Sequence, residues 1–146
     1  MIAAMLATER LEIEAACIRL AHAFCRFSDR NDYASYRGIF TADAVFSRPD
    51  SEYRTAAAIA AALERRPAGS VVRHVCANPM ITVIDSTHAK GTGTLLVYRH
   101  NSETYVTDPP VIGDYEDAYV CTDLGWQIAS RRVWLSFGPH RDNRSE

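Results

Sequence analysis

Residues 13–46, IEAACIRLAHAFCRFSDRNDYASYRGIFTADAVF, carry the reading from which the fold follows. Ile13, Cys17, Leu20, Phe24 and Phe27 recur at steps of four and three, which lines them along one face of a helix. The polar run Ser28-Asp29-Arg30-Asn31-Asp32 ends that face and turns the chain. Asp32 stands where an N-cap belongs, ahead of a short second helix bearing Tyr33, Tyr36, Ile39 and Phe40. Gly38 limits its length, and Thr41-Ala42-Asp43 leads into the strand-like run from Ala44.

Upstream, the helical pattern extends back through residues 1–28, with Glu9, Arg10, Glu12, Glu14 and Arg19 for its solvent face. Downstream, a strand at 44–48 reaches a turn at Pro49-Asp50-Ser51. Thr55 can cap a third helix over 56–64, which Pro67-Ala68-Gly69 stops. From Ser70 the period becomes that of strands. These are expected at 71–76, 80–84, 88–100, 111–121 and 126–135, with a loop over 101–110 and a hairpin turn at 122–125. Gly91 and Gly93 share one strand face, where a helix could come close or the sheet could bend. Helices followed by a meander of strands make an α+β domain. Residues 1–146 read as one such domain, with a core over about 10–135 and a polar C-terminal tail.

Composition narrows the function classes. A hydrophobic content of 47% suffices for one core, and a net charge of −2 gives no electrostatic reason for nucleic acid. No apolar run is long enough for a membrane helix, and the N-terminus lacks the basic start of a signal peptide, so a cytoplasmic protein is expected. Cys17, Cys25, Cys76 and Cys121 form no metal-ligand spacing and read as buried free thiols. Residues 91–94 lack the spacing of a phosphate loop, and no nucleophile elbow occurs. Neither a cofactor nor a metal is expected.

A helix ending in Asp29-x-x-Asp32-aromatic, followed by Phe40-Thr-x-Asp-Ala-Val-Phe46, resembles the opening of the SnoaL-like branch of the NTF2-like superfamily. Arg73-His74-x-x-x-Asn78 and the Gly125-Trp-x-Ile hairpin running into Ser130-Arg131-Arg132 follow in the order that branch has them. The resemblance implies a cone-shaped barrel, a strongly curved antiparallel sheet wrapped around the long N-terminal helix. It also implies a homodimer, whose interface would take the apolar residues of the sheet's convex side.

The same resemblance, which extends to polyketide cyclases, scytalone dehydratase, ketosteroid isomerase and dehydrochlorinases, distributes roles. His74 would be the catalytic base, oriented by Asp29 at the mouth of the cone, and His100 a general acid. Tyr36, Tyr53, Tyr98 and Tyr115 are the candidate substrate-binding hydroxyls, with Tyr119 a further pocket phenol. Asp114 and Asp117 fall on opposite faces of one strand, so at most one of them turns inward. Against these stand plainer readings: a solvated turn aspartate, a half-buried structural histidine, an exposed strand-end histidine. The implied activity is a lyase or isomerase, dehydratase- or cyclase-like, acting on a small apolar, aromatic or polycyclic molecule in a closed pocket. The alternative is a non-catalytic binding or assembly module, such as a small subunit like that of ring-hydroxylating dioxygenases. Whether the Asp29 and His74 side chains meet in a closed cavity is what separates the two.

Overall fold

The computed structural model describes residues 5–137, so the expected C-terminal tail beyond them, with His140, lies outside the described residues. In chain order the elements are α1 (Ala7–Asp29), α2 (Tyr33–Gly38), β1 (Phe40–Arg48), β2 (Ser51–Arg54), α3 (Ala56–Glu64), β3 (Ser70–Val83), β4 (His88–Asn101), β5 (Val111–Thr122) and β6 (Gly125–Phe137). The six strands form one sheet in the order β2-β1-β6-β5-β4-β3, and its two edges do not meet. The fold is α+β, and the sheet forms a curved, open cone wall, as expected. It is not wholly antiparallel: β1 runs parallel to β6. A parallel pair needs a long crossover, and the chain from β2 through β5 supplies it.

Local chemistry sets the helix ends. Asp32 accepts a hydrogen bond from the Ser35 amide at 3.2 Å, and Thr55 Oγ1 accepts from the Ala58 amide at 3.2 Å. Both are N-caps that satisfy an orphan amide of the first turn. The C-terminus of α1 is closed by a long-range partner instead. Arg66 donates to the Ser28 carbonyl at 2.8 Å and to Ser28 Oγ at 2.9 Å. A cation there suits the negative end of the helix dipole.

Two strands differ from the expectation. The runs at 71–76 and 80–84 are one strand, β3, which stays in register with β4 across an irregularity between Ala77 and Met80. Asn78 makes the extra bend, with φ of 54°, a conformation that asparagine tolerates better than most side chains. The turn expected at 49–51 opens into the short strand β2, paired with β1 from Val45↔Arg54 to Arg48↔Ser51. Further register shifts occur between β1 and β6 and between β5 and β6. Such bulges bend a strand and increase its twist, and here they curl the sheet.

The concave face receives α1. Ile13, Cys17, Ala21, Phe24, Cys25 and Ser28 are its buried side. Phe24 meets the rings of Tyr36, Phe40 and Phe46 at centroid distances of 5.3, 6.2 and 5.6 Å. Offset and edge-on ring contacts at this spacing are favourable beyond the area that they bury. Gly91 and Gly93 lie under tyrosine rings of β5 rather than under a helix. A Cβ at Gly93 would come within 2.5 Å of the Tyr115 hydroxyl, and one at Gly91 within 2.8 Å of the Tyr119 ring. Their missing side chains are what let these rings lie flat. On the opposite, convex face, Val71, Val75, Tyr98 and Trp134 are exposed.

Candidate active site

Asp29 ends α1, and His74 sits on β3, 45 residues later. The helix crosses the sheet so that the two side chains meet. His74 Nδ1 lies 2.6 Å from Asp29 Oδ1, while the His74 backbone amide donates to Asp29 Oδ2 at 2.8 Å. A carboxylate only accepts, so Nδ1 carries the proton and Nε2 is left free to act as a base. Both carboxylate oxygens thus hold the same residue, one by its backbone and one by its ring. A carboxylate at the negative end of a helix is unfavourable unless donors compensate it, and His74 supplies two. The pair is shielded but reachable, with side chains 10% and 12% exposed. Edge-on against the imidazole lies Phe24, at a centroid distance of 6.2 Å.

The other face of the site holds a residue to which sequence reasoning gave no role. Arg131, on β6, is entirely buried and is held by Asp117 on β5 through Nε at 2.7 Å and Nη2 at 2.6 Å. Tyr119 donates to the same carboxylate at 2.6 Å. The guanidinium carbon lies 4.0 Å from the Phe24 ring centroid and 4.4 Å from that of Tyr115, so the cation is stacked between two π-faces. Burial opposes its charge, but the Asp117 carboxylate more than offsets this and holds Arg131 above the usual arginine range. Its Nη1 has no hydrogen-bond partner among the described residues. A buried, charged donor with one unpaired nitrogen is suited to receive negative charge.

Arg131 was visible in the sequence only as half of an Arg-Arg pair. Between Tyr119↔Ile128 and Ala118↔Ser130 the register slips by one residue. Strand alternation read straight from Ile128 would turn Arg132 inward; the bulge turns Arg131 inward instead. Asp117 is the inward member of its pair, as alternation allowed, and Asp114 faces out to Thr94 and Ser136.

Of the tyrosines, Tyr36 and Tyr115 are buried on the inner side. Burial pushes the Tyr36 phenol up, so it stays protonated. Tyr115 hydroxyl is 3.3 Å from Cys76 Sγ. Tyr53 is half-buried beside Phe46, and its hydroxyl accepts from Arg48 at 3.3 Å, apart from the dyad. Two expected site residues lie on the wrong face. Tyr98 is 45% exposed opposite Arg73 on the convex side. His100, two residues on, shares that face and pairs its Nδ1 with Thr107 Oγ1 at 2.8 Å. Val97, between the inward positions of β4, sits opposite His74, so even-numbered residues there point away from the dyad.

Cys17 and Cys25 are core residues, as expected, but Cys76 and Cys121 are only half-buried. No group of three or more His, Cys, Asp or Glu side chains converges as a metal site among the described residues, and none of their helices is long and apolar enough to cross a membrane. A separate open groove of about 380 Å³ lies between α1 and the start of β6, lined by Ala16, Arg19, Leu20, Ala23 and Trp126. It holds no member of the dyad.

The geometry can be set beside known proteins. By sequence, no characterised protein matches the chain. By structure, it is similar to a protein of Novosphingobium aromaticivorans DSM 12444 designated a scytalone dehydratase, at 19% identity and a TM-score of 0.79, covering 90% of this chain and 89% of the other. The hexachlorocyclohexane dehydrochlorinase LinA-type3 of Novosphingobium barchaimii LL02 is similar at 15% identity and a TM-score of 0.81, over 91% and 92% of the chains. An NTF2-like protein with a cystatin-like fold, also from Novosphingobium aromaticivorans, gives 20% identity and a TM-score of 0.74, over 90% and 88%. These likenesses establish an NTF2-like fold. A model of the SnoaL-like domain matches residues 9–132, most of the chain, and the protein therefore belongs to the SnoaL-like domain family.

Proposed function

We propose that this protein is a lyase or isomerase that takes a proton from carbon with His74 and develops negative charge toward Arg131. The observation that carries the reading is the double grip of Asp29 on His74, which orients the ring and turns Nε2 away from the carboxylate. A positioned base of this kind contributes typically 10²–10⁴-fold. The free Nη1 of Arg131, held in a dry, π-stacked setting, would stabilise an oxyanion or a departing anion as it forms. Base and anion site come from the chain's own residues, so elimination or allylic proton transfer needs no further group. Neighbours in fold designated dehydratase and dehydrochlorinase support the elimination class. The ring-lined inner face suits a small apolar or aromatic substrate.

The test is proton exchange and elimination on a panel of β-hydroxy ketones and chlorinated cycloalkanes, followed by NMR in D₂O. Turnover by the wild type that disappears in His74→Ala is expected; a fully active His74→Ala protein would overturn the base assignment. Tight binding of the panel without exchange or elimination would instead favour the ligand-binding module. For assembly we infer a homodimer through the convex face, where Val71, Val75 and Trp134 are exposed. Light scattering that returns the 16.3 kDa of a single chain at tens of micromolar would overturn it.

A further inference from the structure

We infer that Tyr36 is a specificity-determining donor of the dyad's site: together with Arg131 it holds a carbonyl oxygen, so the site takes carbonyl compounds and turns away halocarbons, which offer no such acceptor. The inference rests on the lyase reading only in treating that ligand as the substrate.

Tyr36 is the buried residue of α2, 3% exposed. The helix cap at Asp32 sets its place, and the Tyr36 amide donates to the Asp32 carbonyl at 2.9 Å. Its ring packs against Phe24 and against Phe40, both at a centroid distance of 5.3 Å. The ring is fully used, but the hydroxyl is idle, with no hydrogen-bond partner among the described residues. A buried tyrosine ordinarily spends its hydroxyl on a partner. Among the described residues, the side-chain polar atoms that are both sealed and unpaired are Thr41 Oγ1 and Arg131 Nη1. The Tyr36 oxygen is unpaired without being sealed, so it looks onto space that a ligand can enter.

Burial pushes the phenol up, against the pull of Arg131, Arg66 and Arg48, so it keeps its proton and donates. Those three cations act on its oxygen, which therefore faces the concave side that holds Arg131. Phe24 is the common neighbour. The Arg131 guanidinium carbon lies 4.0 Å from its centroid and the His74 imidazole stands edge-on at 6.2 Å. Phenol, cation and base thus gather around one ring.

Two donors are idle there, Tyr36 Oη and Arg131 Nη1, and a carbonyl oxygen has two lone pairs to meet them. A halocarbon entering the same space strips both donors of water and leaves them stranded, which is costly. When His74 takes the proton beside a carbonyl, the C–H electron pair is delocalised onto this oxygen, where the two donors stabilise it.

The probes are indanone, ¹³C-labelled at its carbonyl, and indane, which has the same rings without the oxygen. Isotope-edited infrared spectroscopy should show the C=O stretch of bound indanone below its free value, and Tyr36→Phe should remove most of that shift. The wild type should bind indanone at least about tenfold more tightly than indane, and Tyr36→Phe should narrow the ratio. His74→Ala should keep the lowered stretch, because the imidazole is not a donor to this oxygen. Tyr36→Phe retains both ring contacts and should unfold at the wild-type urea concentration. An earlier midpoint would show that the hydroxyl is spent inside the protein, and would overturn the inference. So would an unshifted stretch, a shift indifferent to Tyr36→Phe, equal affinity for indane, or no binding of indanone. Carbonyl binding through Tyr36 without elimination from any member of the panel would sink the lyase reading alone. Elimination from β-hydroxy ketones at an undiminished rate in Tyr36→Phe would sink this proposal alone.

Discussion

Two aspartate pairs, Asp117–Arg131 and Asp29–His74, flank Phe24, and they are built for different purposes. Asp117–Arg131 joins direct cross-strand neighbours on β5 and β6, fully out of water, with a bidentate fork and a tyrosine filling the carboxylate. Asp29–His74 joins a helix end to a strand, keeps some exposure, and leaves one ring nitrogen unspent. The first pair is a charge that the fold must hold; the second is a base that the fold presents. Between them lies the ring of Phe24, with the Arg131 guanidinium over its face and the His74 imidazole edge-on to it. A buried pair is costly to break from one side, whereas a reachable pair can be altered with little loss of stability.

That contrast predicts opposite readouts. His74→Ala should lower turnover by about 10²–10⁴-fold, while the urea midpoint stays close to the wild type. A large loss of stability would mean that His74 is held for packing. Asp117→Leu should do the reverse, destabilising by about 3–5 kcal/mol because it leaves the Arg131 charge buried and unpaired. Adding Arg131→Met to it should recover much of that loss while abolishing the anion site. A double variant no more stable than the single would show that Asp117 acts through Tyr119 rather than through Arg131.

Smaller effects sharpen the same division. Asp29→Asn should cost less turnover than His74→Ala and should shift the imidazole tautomer, which ¹⁵N NMR of the His74 ring reads directly. An unchanged tautomer would detach Asp29 from the base. Gly93→Ala presses a Cβ against the Tyr115 ring and should cost about 1–3 kcal/mol, as overpacking does. Thr55→Ala, remote from both pairs, removes an N-cap and should cost about 1 kcal/mol with activity intact. Chemical denaturation measures both.

The sequence by itself determined what is local. Asp32 and Thr55 were legible as caps because the amide that each satisfies lies three residues away. The α1 face was legible because its period is helical, and Asp29 and His74 were legible as a pair through the family's motifs, not through any spacing between them. What only the tertiary structure decided is which side of a strand a residue takes and which strand lies beside it. Strand alternation has a period of two, so one bulge reverses every assignment beyond it. The slip at Ala118/Tyr119 put Arg131 inside, and the one at Ala77/Met80 made one strand of two expected runs. On β4 no bulge intervenes; there the choice of inner face, set by pairing with His74 and Tyr115, placed Tyr98 and His100 outside. The parallel β1–β6 pair and the Asp29–His74 pair join segments far apart in the chain, and only the tertiary fold brings such partners into contact.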